Sequence, residues 1–298
     1  MSGETLPDPR RNAYRGDLAA EALRGVVEAE HYVKGEPRQV GVPVLPLRRE
    51  PRFDATLDTE ALLGEIVTVY DEAEGWAWVQ SARDGYVGYM PSEGLSTQIV
   101  GPTHRIAALR TYVYPEPDGK TPPLSLLSLN ALVTITEPGG KFHALAGGGY
   151  VFAGHAVALG EIAADFVAVA ESFIGTPYLW GGRTSIGLDC SGLVQLSLEA
   201  AGQTAPRDAD MQSLELGRAV DLRKDKLRRG DLVFWDGHVG IMTSDKNFLH
   251  ANAFHMAVET EPFARARKRI KDVGYEVTCI RRLPGRRKPP LQGKTKGR

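Results

Sequence analysis

The apolar periodicity of the chain changes once, near residue 160, and that change limits the folds open to it. From about residue 40 to 97 short apolar runs alternate, as in VPVLPLR, GEIVTVYDEAEGWAWVQ and DGYVGYMPSEGL, cut by Pro, Gly and Asp. Runs this short, with a period of two and turn residues at their ends, read as the antiparallel strands of a small barrel. A second set follows in HRIAALRTYVYPEPDG, ALVTITEPGGKFHAL and GGYVFAGHAVAL, and Gly85-Tyr86-Val87 recurs 64 residues later as Gly149-Tyr150-Val151. The recurrence predicts two copies of one β-module, over 36–97 and 98–158.

Past residue 160 the pattern turns helical. EIAADFVAVAESFIG places Ile162, Phe166, Val169 and Phe173 at helical spacing, with Gly175 as the stop. CSGLVQLSLEAAG predicts a second helix, with Asp189 as N-cap and Gly202 closing it. DLVFW and HVGIM then flank Asp236-Gly237, a two-residue hairpin signal, while NFLHANA and the stretch from Tyr275 to Arg281 read as further strands. Helices first and antiparallel strands after them indicate an α+β domain over 159–284. The expected fold is therefore multidomain: two small all-β barrels followed by an α+β domain. Residues 1–35 form a separate N-terminal segment, where AAEALRGVVEAEHYV predicts a short helix. Residues 285–298 are basic and rich in Pro and Gly, and predict a solvated, disordered tail.

Charge excludes some partners. With 36 basic and 37 acidic residues the formal charge is −1, so no overall field draws the chain onto nucleic acid or an anionic membrane. No stretch of about 18 uncharged apolar residues offers a membrane span. The first 30 residues lack the apolar core of a secretory signal, so a cytoplasmic monomer with a locally recognised partner is expected. In that compartment a disulfide between Cys190 and Cys279, 89 positions apart, is not expected.

Cys190 stands between an acid and Ser-Gly, where a glycine-rich loop enters a helix. A free thiol has a pKa of about 8.5, and the unpaired N–H groups of a helix N-terminus favour the thiolate. The same N–H groups can accept the negative oxygen that forms when sulfur attacks a carbonyl. Such a nucleophile needs an oriented base, and His238 and His250 lie on successive strands of the same domain. Cys279, within YEVTCIRR, has no such setting and reads as structural. Ser191 lacks a G-x-S-x-G surround, which leaves Cys190 as the nucleophile. His250 and His255 are spaced more loosely than a usual zinc pair, so no metal is expected.

GTPYLWGG, LDCSGLVQ, RRGDLVFWDGHVGIM and FLHANA, in that order, resemble the motif series of the NlpC-type papain-like cysteine peptidases that cut bacterial cell-wall peptides. The resemblance spans roughly residues 160 to 284. It implies Cys190 as nucleophile, His238 as general base and acid, and His250 as the residue that orients His238, with Tyr178 lining the site. The front half is similar to the two bacterial SH3-like domains that precede the peptidase in part of that family. Members of that kind act as γ-D-glutamyl-L-diamino acid endopeptidases on small wall peptides with a free N-terminal L-alanine, L-Ala-γ-D-Glu-diamino acid, and need no cofactor. By that resemblance Tyr86 and an acid of the first module, Glu65 in preference to Glu60, bind the peptide amine, with Asp189 and Ser191 contributing from the catalytic side. The expected process is recycling of wall peptides inside the cell. The alternatives are remodelling of the intact wall, an acyltransferase or amidase using the same Cys-His pair, and a wall-binding module with a decayed peptidase.

Overall fold

The computed structural model describes residues 6–284; the basic segment 285–298, expected as a tail, lies outside the described residues. Between residues 36 and 96 the alternating runs form one antiparallel sheet. Its spatial order is Leu57–Leu62, Val44–Arg48, Val87–Pro91, Trp76–Ser81, Ile66–Ala73, Glu36–Val40 and Leu95–Ser96. One side of each strand is buried, so Leu45, Leu47, Val67, Val79 and Met90 make a core of their own.

The sheet is open, which corrects the expectation of a barrel. Closure requires the two edge strands to hydrogen-bond to each other, and Leu57–Leu62 and Leu95–Ser96 stand at opposite ends of the order. Irregularities at Leu47/Arg48 and at Val69/Asp71 bend the strands. The Leu57–Leu62 edge faces a loop of the α+β region instead, where Glu60 Oε2 accepts the Arg183 backbone N–H at 2.7 Å. The second set of runs does not close either. It divides into a three-stranded sheet, Leu132–Val133, His104–Ile106 and Ala156–Ala158, and a five-stranded one running from Ser125–Ser128 to Ile135–Glu137. The molecule is thus multidomain, with β-rich regions ahead of an α+β region, but without the two barrels.

The echoed Gly-Tyr-Val does have a structural counterpart. In both places the strand it opens, Val87–Pro91 or Tyr150–Phe152, runs into a 3-10 turn and then a short strand. The two regions pack differently. Ile106, Leu127 and Val133 of the second belong to the same apolar cluster as Leu193, Val194, Phe234 and Leu249 of the α+β region.

The N-terminal run expected to be helical is not. Leu18–Ala20 pairs in parallel with His31–Val33 around a 3-10 turn, and Gly25, at φ +80°, breaks the helical period. Its apolar residues Ala13, Leu18 and Ala20 cover Trp78 of the first sheet.

In the α+β region helix α1 spans Phe166–Glu171, shorter than its periodicity predicts because Asp165 caps it and leaves Ile162 outside. Helix α2 spans Cys190–Ala200, α3 Ala209–Glu215 and α4 Phe263–Asp272; the last two had no clear signal in the sequence. They surround a six-stranded sheet ordered Arg218–Ala219, Cys279–Arg282, Asp231–Trp235, His238–Met242, Asn247–Asn252, Ala257–Pro262. The Asp236-Gly237 hairpin forms as expected, with Trp235 paired to His238 and Gly237 left-handed.

A buried ion network ties this region to the first sheet. The fully buried Arg183 donates to Glu65 and to Glu199, both at 2.8 Å, and Arg83 reaches Glu199 at 3.0 Å and Asp84 at 3.1 Å. Removing one partner from such a network would leave a buried charge uncompensated, at a cost of about 3–5 kcal/mol.

Candidate active site

The loop before Cys190 is shaped by its contact with the first sheet. Gly181 is left-handed at φ +74°, and a Cβ there would lie 2.4 Å from the backbone oxygen of Leu57, so only glycine lets the loop pass the edge strand. Asp189 then starts α2: its Oδ1 accepts the Gly192 N–H at 2.7 Å, and its Oδ2 accepts the Gly181 N–H at 2.9 Å. The buried Arg207 grips the same carboxylate at 2.9 and 2.6 Å and donates to the Ser191 hydroxyl at 2.8 Å. Asp189 and Ser191 are therefore built into the frame beneath Cys190, although both reach the cleft wall.

Cys190 is the first residue of α2, a helix that packs on the strand carrying His238. His238 Nε2 lies 2.8 Å from His250 Nδ1, which leaves His238 Nδ1 as the ring nitrogen not engaged by His250. The fully buried His250 is bounded on its other side by Glu261, with Nε2 3.0 Å from Oε1. Glu261 also pairs with Arg269 of α4, whose guanidinium stacks on Phe254 at 4.1 Å. The packing needs Gly240, since a Cβ there would fall 2.9 Å from His250 Cβ and closer still to the Phe248 ring.

Burial, reinforced by the Asp189 charge, pushes the Cys190 thiol up to about 12, against the opposing effects of the Val239 N–H and Arg207. Burial, with His250 and Arg269 nearby, lowers His238 to about 3. Burial thus disfavours the charged form of both groups, and at this helix end it opposes the thiolate that the helix N-terminus favours. Burial would raise Glu261, but the bond from His250 and the charge of Arg269 hold it below the usual carboxylate range.

Cys190 opens into a cleft of about 320 Å³ between the catalytic region and the first sheet, walled by Tyr86, Asp58, Tyr178, Trp180 and Asp208. Tyr86 donates its hydroxyl proton to Asp208 at 3.1 Å, and burial followed by the Asp208 charge keeps that phenol protonated. Burial and the adjacent Cys190 do the same for Tyr178. Arg49 pairs with Asp58 at 2.7 Å, and Arg10, from the N-terminal segment, pairs with Asp208 at 2.8 Å and Asp210 at 2.7 Å.

The structure thus gathers Cys190, Tyr178, Tyr86, Asp189 and Ser191 around one cleft and joins His238 to His250. It does not bring Glu65 there. That carboxylate is held by Arg183 in the buried network, and the runner-up Glu60 caps the Arg183 N–H; the first sheet presents Asp58 in their place. Asp58, Asp208, Arg10 and Glu261 were not singled out in the sequence. Only Glu261 left a usable signal: Glu259 pairs with His250 across the hairpin, so Glu261, two residues on, lies on the same face as its diagonal neighbour. Ligand atoms of His250, His255 and Glu261 lie within 4.8 Å of one another, yet both nitrogens of His250 already face His238 and Glu261. Among the described residues no helix is long and apolar enough to cross a membrane.

The chain is similar to known proteins in sequence and in fold. Residues 175–270 match the profile of the NlpC/P60 family, and residues 47–95 match that of the "Bacterial dipeptidyl-peptidase Sh3 domain". The SH3-like match thus falls within the open sheet. Gamma-D-glutamyl-L-lysine dipeptidyl-peptidase of Bacillus subtilis (strain 168) is 30% identical over 227 residues, covering 69% of this chain and 76% of that protein. The protein of the same name from Bacillus cereus (strain ATCC 10987) is 29% identical over 237 residues, covering 69% and 70%. The crystal structure of an NlpC/P60 family protein from Bacillus cereus ATCC 10987 superimposes with a TM-score of 0.70 at 25% identity, over 84% of this chain and 100% of that one. The chain belongs to the NlpC/P60 family, and it is a cysteine peptidase with an SH3-like region ahead of its catalytic domain.

Proposed function

We propose that the protein hydrolyses the γ-D-glutamyl-L-diamino acid bond of small cell-wall peptides that carry a free N-terminal L-alanine, and that it acts on released fragments. The observation that carries this reading is the cleft itself. The thiol of Cys190 opens into it, and its walls carry Asp58, paired with Arg49, and Asp208, paired with Arg10 and bonded by Tyr86. Two carboxylates suit a substrate ammonium, and a space of about 320 Å³ suits a short peptide end. The related Bacillus enzymes are named for the γ-D-glutamyl-L-lysine bond. In this reading the chain divides into modules at 36–97 and 98–158 and a catalytic domain at 159–284.

In this reading the thiol and imidazole start neutral, which sets the order of events. As Cys190 Sγ attacks the γ-carbonyl, its proton passes to His238 Nδ1 and the carbonyl oxygen becomes an oxyanion. Backbone N–H groups at the start of α2 and the protonated Tyr178 hydroxyl receive that oxygen. The C–N bond then breaks, the His238 proton goes to the leaving amine, and a thioester remains. Water, deprotonated by His238, attacks the thioester and releases the glutamyl carboxylate, while the proton returns to sulfur.

The amine site is tested with matched substrates, L-Ala-γ-D-Glu-diaminopimelate and its N-acetyl derivative. Wild-type protein should cleave the free peptide at the γ-D-glutamyl bond and the acetylated one at least tenfold more slowly, while Asp208→Asn should reduce kcat/KM for the free peptide and narrow that difference. Equal turnover of both peptides by the wild type would remove Asp58, Asp208 and Tyr86 from substrate recognition.

A further inference from the structure

We infer that Glu261 is a positioning residue that sets the tautomer of both catalytic histidines and anchors a proton relay running from Cys190 to the edge of helix α4. The inference rests on the catalytic reading of Cys190 and His238, and adds a member that the motif resemblance did not supply. Glu261 is buried, and Arg269 beside it keeps it ionised, so its oxygens can only accept. The nitrogen 3.0 Å from it, His250 Nε2, must then carry a hydrogen. In a neutral ring that makes His250 Nδ1 an acceptor. His238 Nε2, 2.8 Å away, must be the donor, and the lone pair of His238 is left on Nδ1. With both rings neutral, no other assignment satisfies the two contacts. One carboxylate thus decides, through two imidazoles, which nitrogen of His238 is free to take a proton.

The same carboxylate stabilises the protonated relay. When His238 accepts the thiol proton the relay gains a positive charge, and an anion at its far end offsets it in surroundings that exclude water. The groups facing the relay are His238 and His250 on neighbouring strands, Arg269 from α4, and His255 from the loop after His250, its ring centroid 6.4 Å from that of His250. Arg269 and His255 would each oppose a cation there, and Glu261 is the acid in direct contact with His250.

The test compares Glu261→Gln, which keeps the shape and removes the charge, with Glu261→Asp, which keeps the charge. Glu261→Gln should lower kcat by about 10–100-fold, leave KM within about twofold, and move the acid limb of the kcat/KM profile to lower pH; Glu261→Asp should recover part of kcat. Alkylation of Cys190 by iodoacetamide, which requires no peptide substrate, should slow in Glu261→Gln as well. That arm separates the relay from the choice of substrate: if no wall peptide is cleaved but alkylation still depends on Glu261, the substrate reading fails and the relay stands. Wild-type rates and an unmoved acid limb in Glu261→Gln, with its melting temperature unchanged, would overturn the relay. So would a loss that Glu261→Asp does not restore and that leaves the limb in place, which would assign a packing role, or loss of wild-type activity on dialysis against EDTA, which would assign His250, His255 and Glu261 to a metal.

Discussion

At the scale of single residues, position within a helix does not by itself activate a thiol. Cys190 sits at the start of α2, as its neighbours Asp189 and Ser191 predict, but it is buried and close to a carboxylate. Those two effects push it up to about 12, which favours thiolate forming as His238 takes the proton. A raised thiol pKa means less thiolate at any given pH, and the sign of the pH dependence is set by that. Iodoacetamide alkylation of Cys190 should keep accelerating from pH 7 through pH 9 and beyond, where an ordinary thiol would begin to level off. A rate already at its plateau by pH 7 would mean a resting thiolate. Cys190, His238 and His250 stood out as candidates because each lies in a short, chemically unusual stretch of sequence. Glu65 misled because an acid beside a strand carries no mark of what it faces, and here it faces Arg183.

At the scale of elements, the loop from Thr176 to Leu188 serves as both catalytic approach and domain contact. Its two adjacent glycines announced a tight path, but not that the path runs along the edge of the first sheet. Gly181→Ala would place a methyl against the Leu57 carbonyl and a side chain in a left-handed conformation. The conformation alone costs about 1–3 kcal/mol, so the variant should melt several degrees lower. The loop also carries Tyr178, so activity should fall further than stability explains. A melting curve and kcat/KM unchanged from wild type would show that the loop tolerates the contact. Helices α3 and α4 escaped the sequence reading for different reasons. Helix α3 is only seven residues long, and α4 is so rich in Arg and Lys that its apolar stripe, Phe263, Ala266 and Ile270, is sparse.

At the scale of the whole molecule, the switch of periodicity near residue 160 separated β-rich from α+β regions correctly, while the closure of the sheets could not be read. Alternation reports which face of a strand is buried and says nothing about whether the edge strands meet. Here the outer edge of Leu57–Leu62 meets the loop before Cys190 instead of the opposite edge strand, and Arg183 of that loop donates to Glu60. The cleft is consequently shared: the nucleophile comes from one region, Asp58 and Tyr86 from another, and Arg10 from the N-terminal segment. The account rests above all on the Cys190 thiol being the group that breaks the γ-D-glutamyl bond. Mass spectrometry of L-Ala-γ-D-Glu-diaminopimelate incubated with wild-type protein and with Cys190→Ala, both shown to be folded by circular dichroism, tests this most directly. The account predicts L-Ala-γ-D-Glu and free diaminopimelate from the wild type and intact peptide from the variant, whereas the same products at the same rate from Cys190→Ala would contradict it.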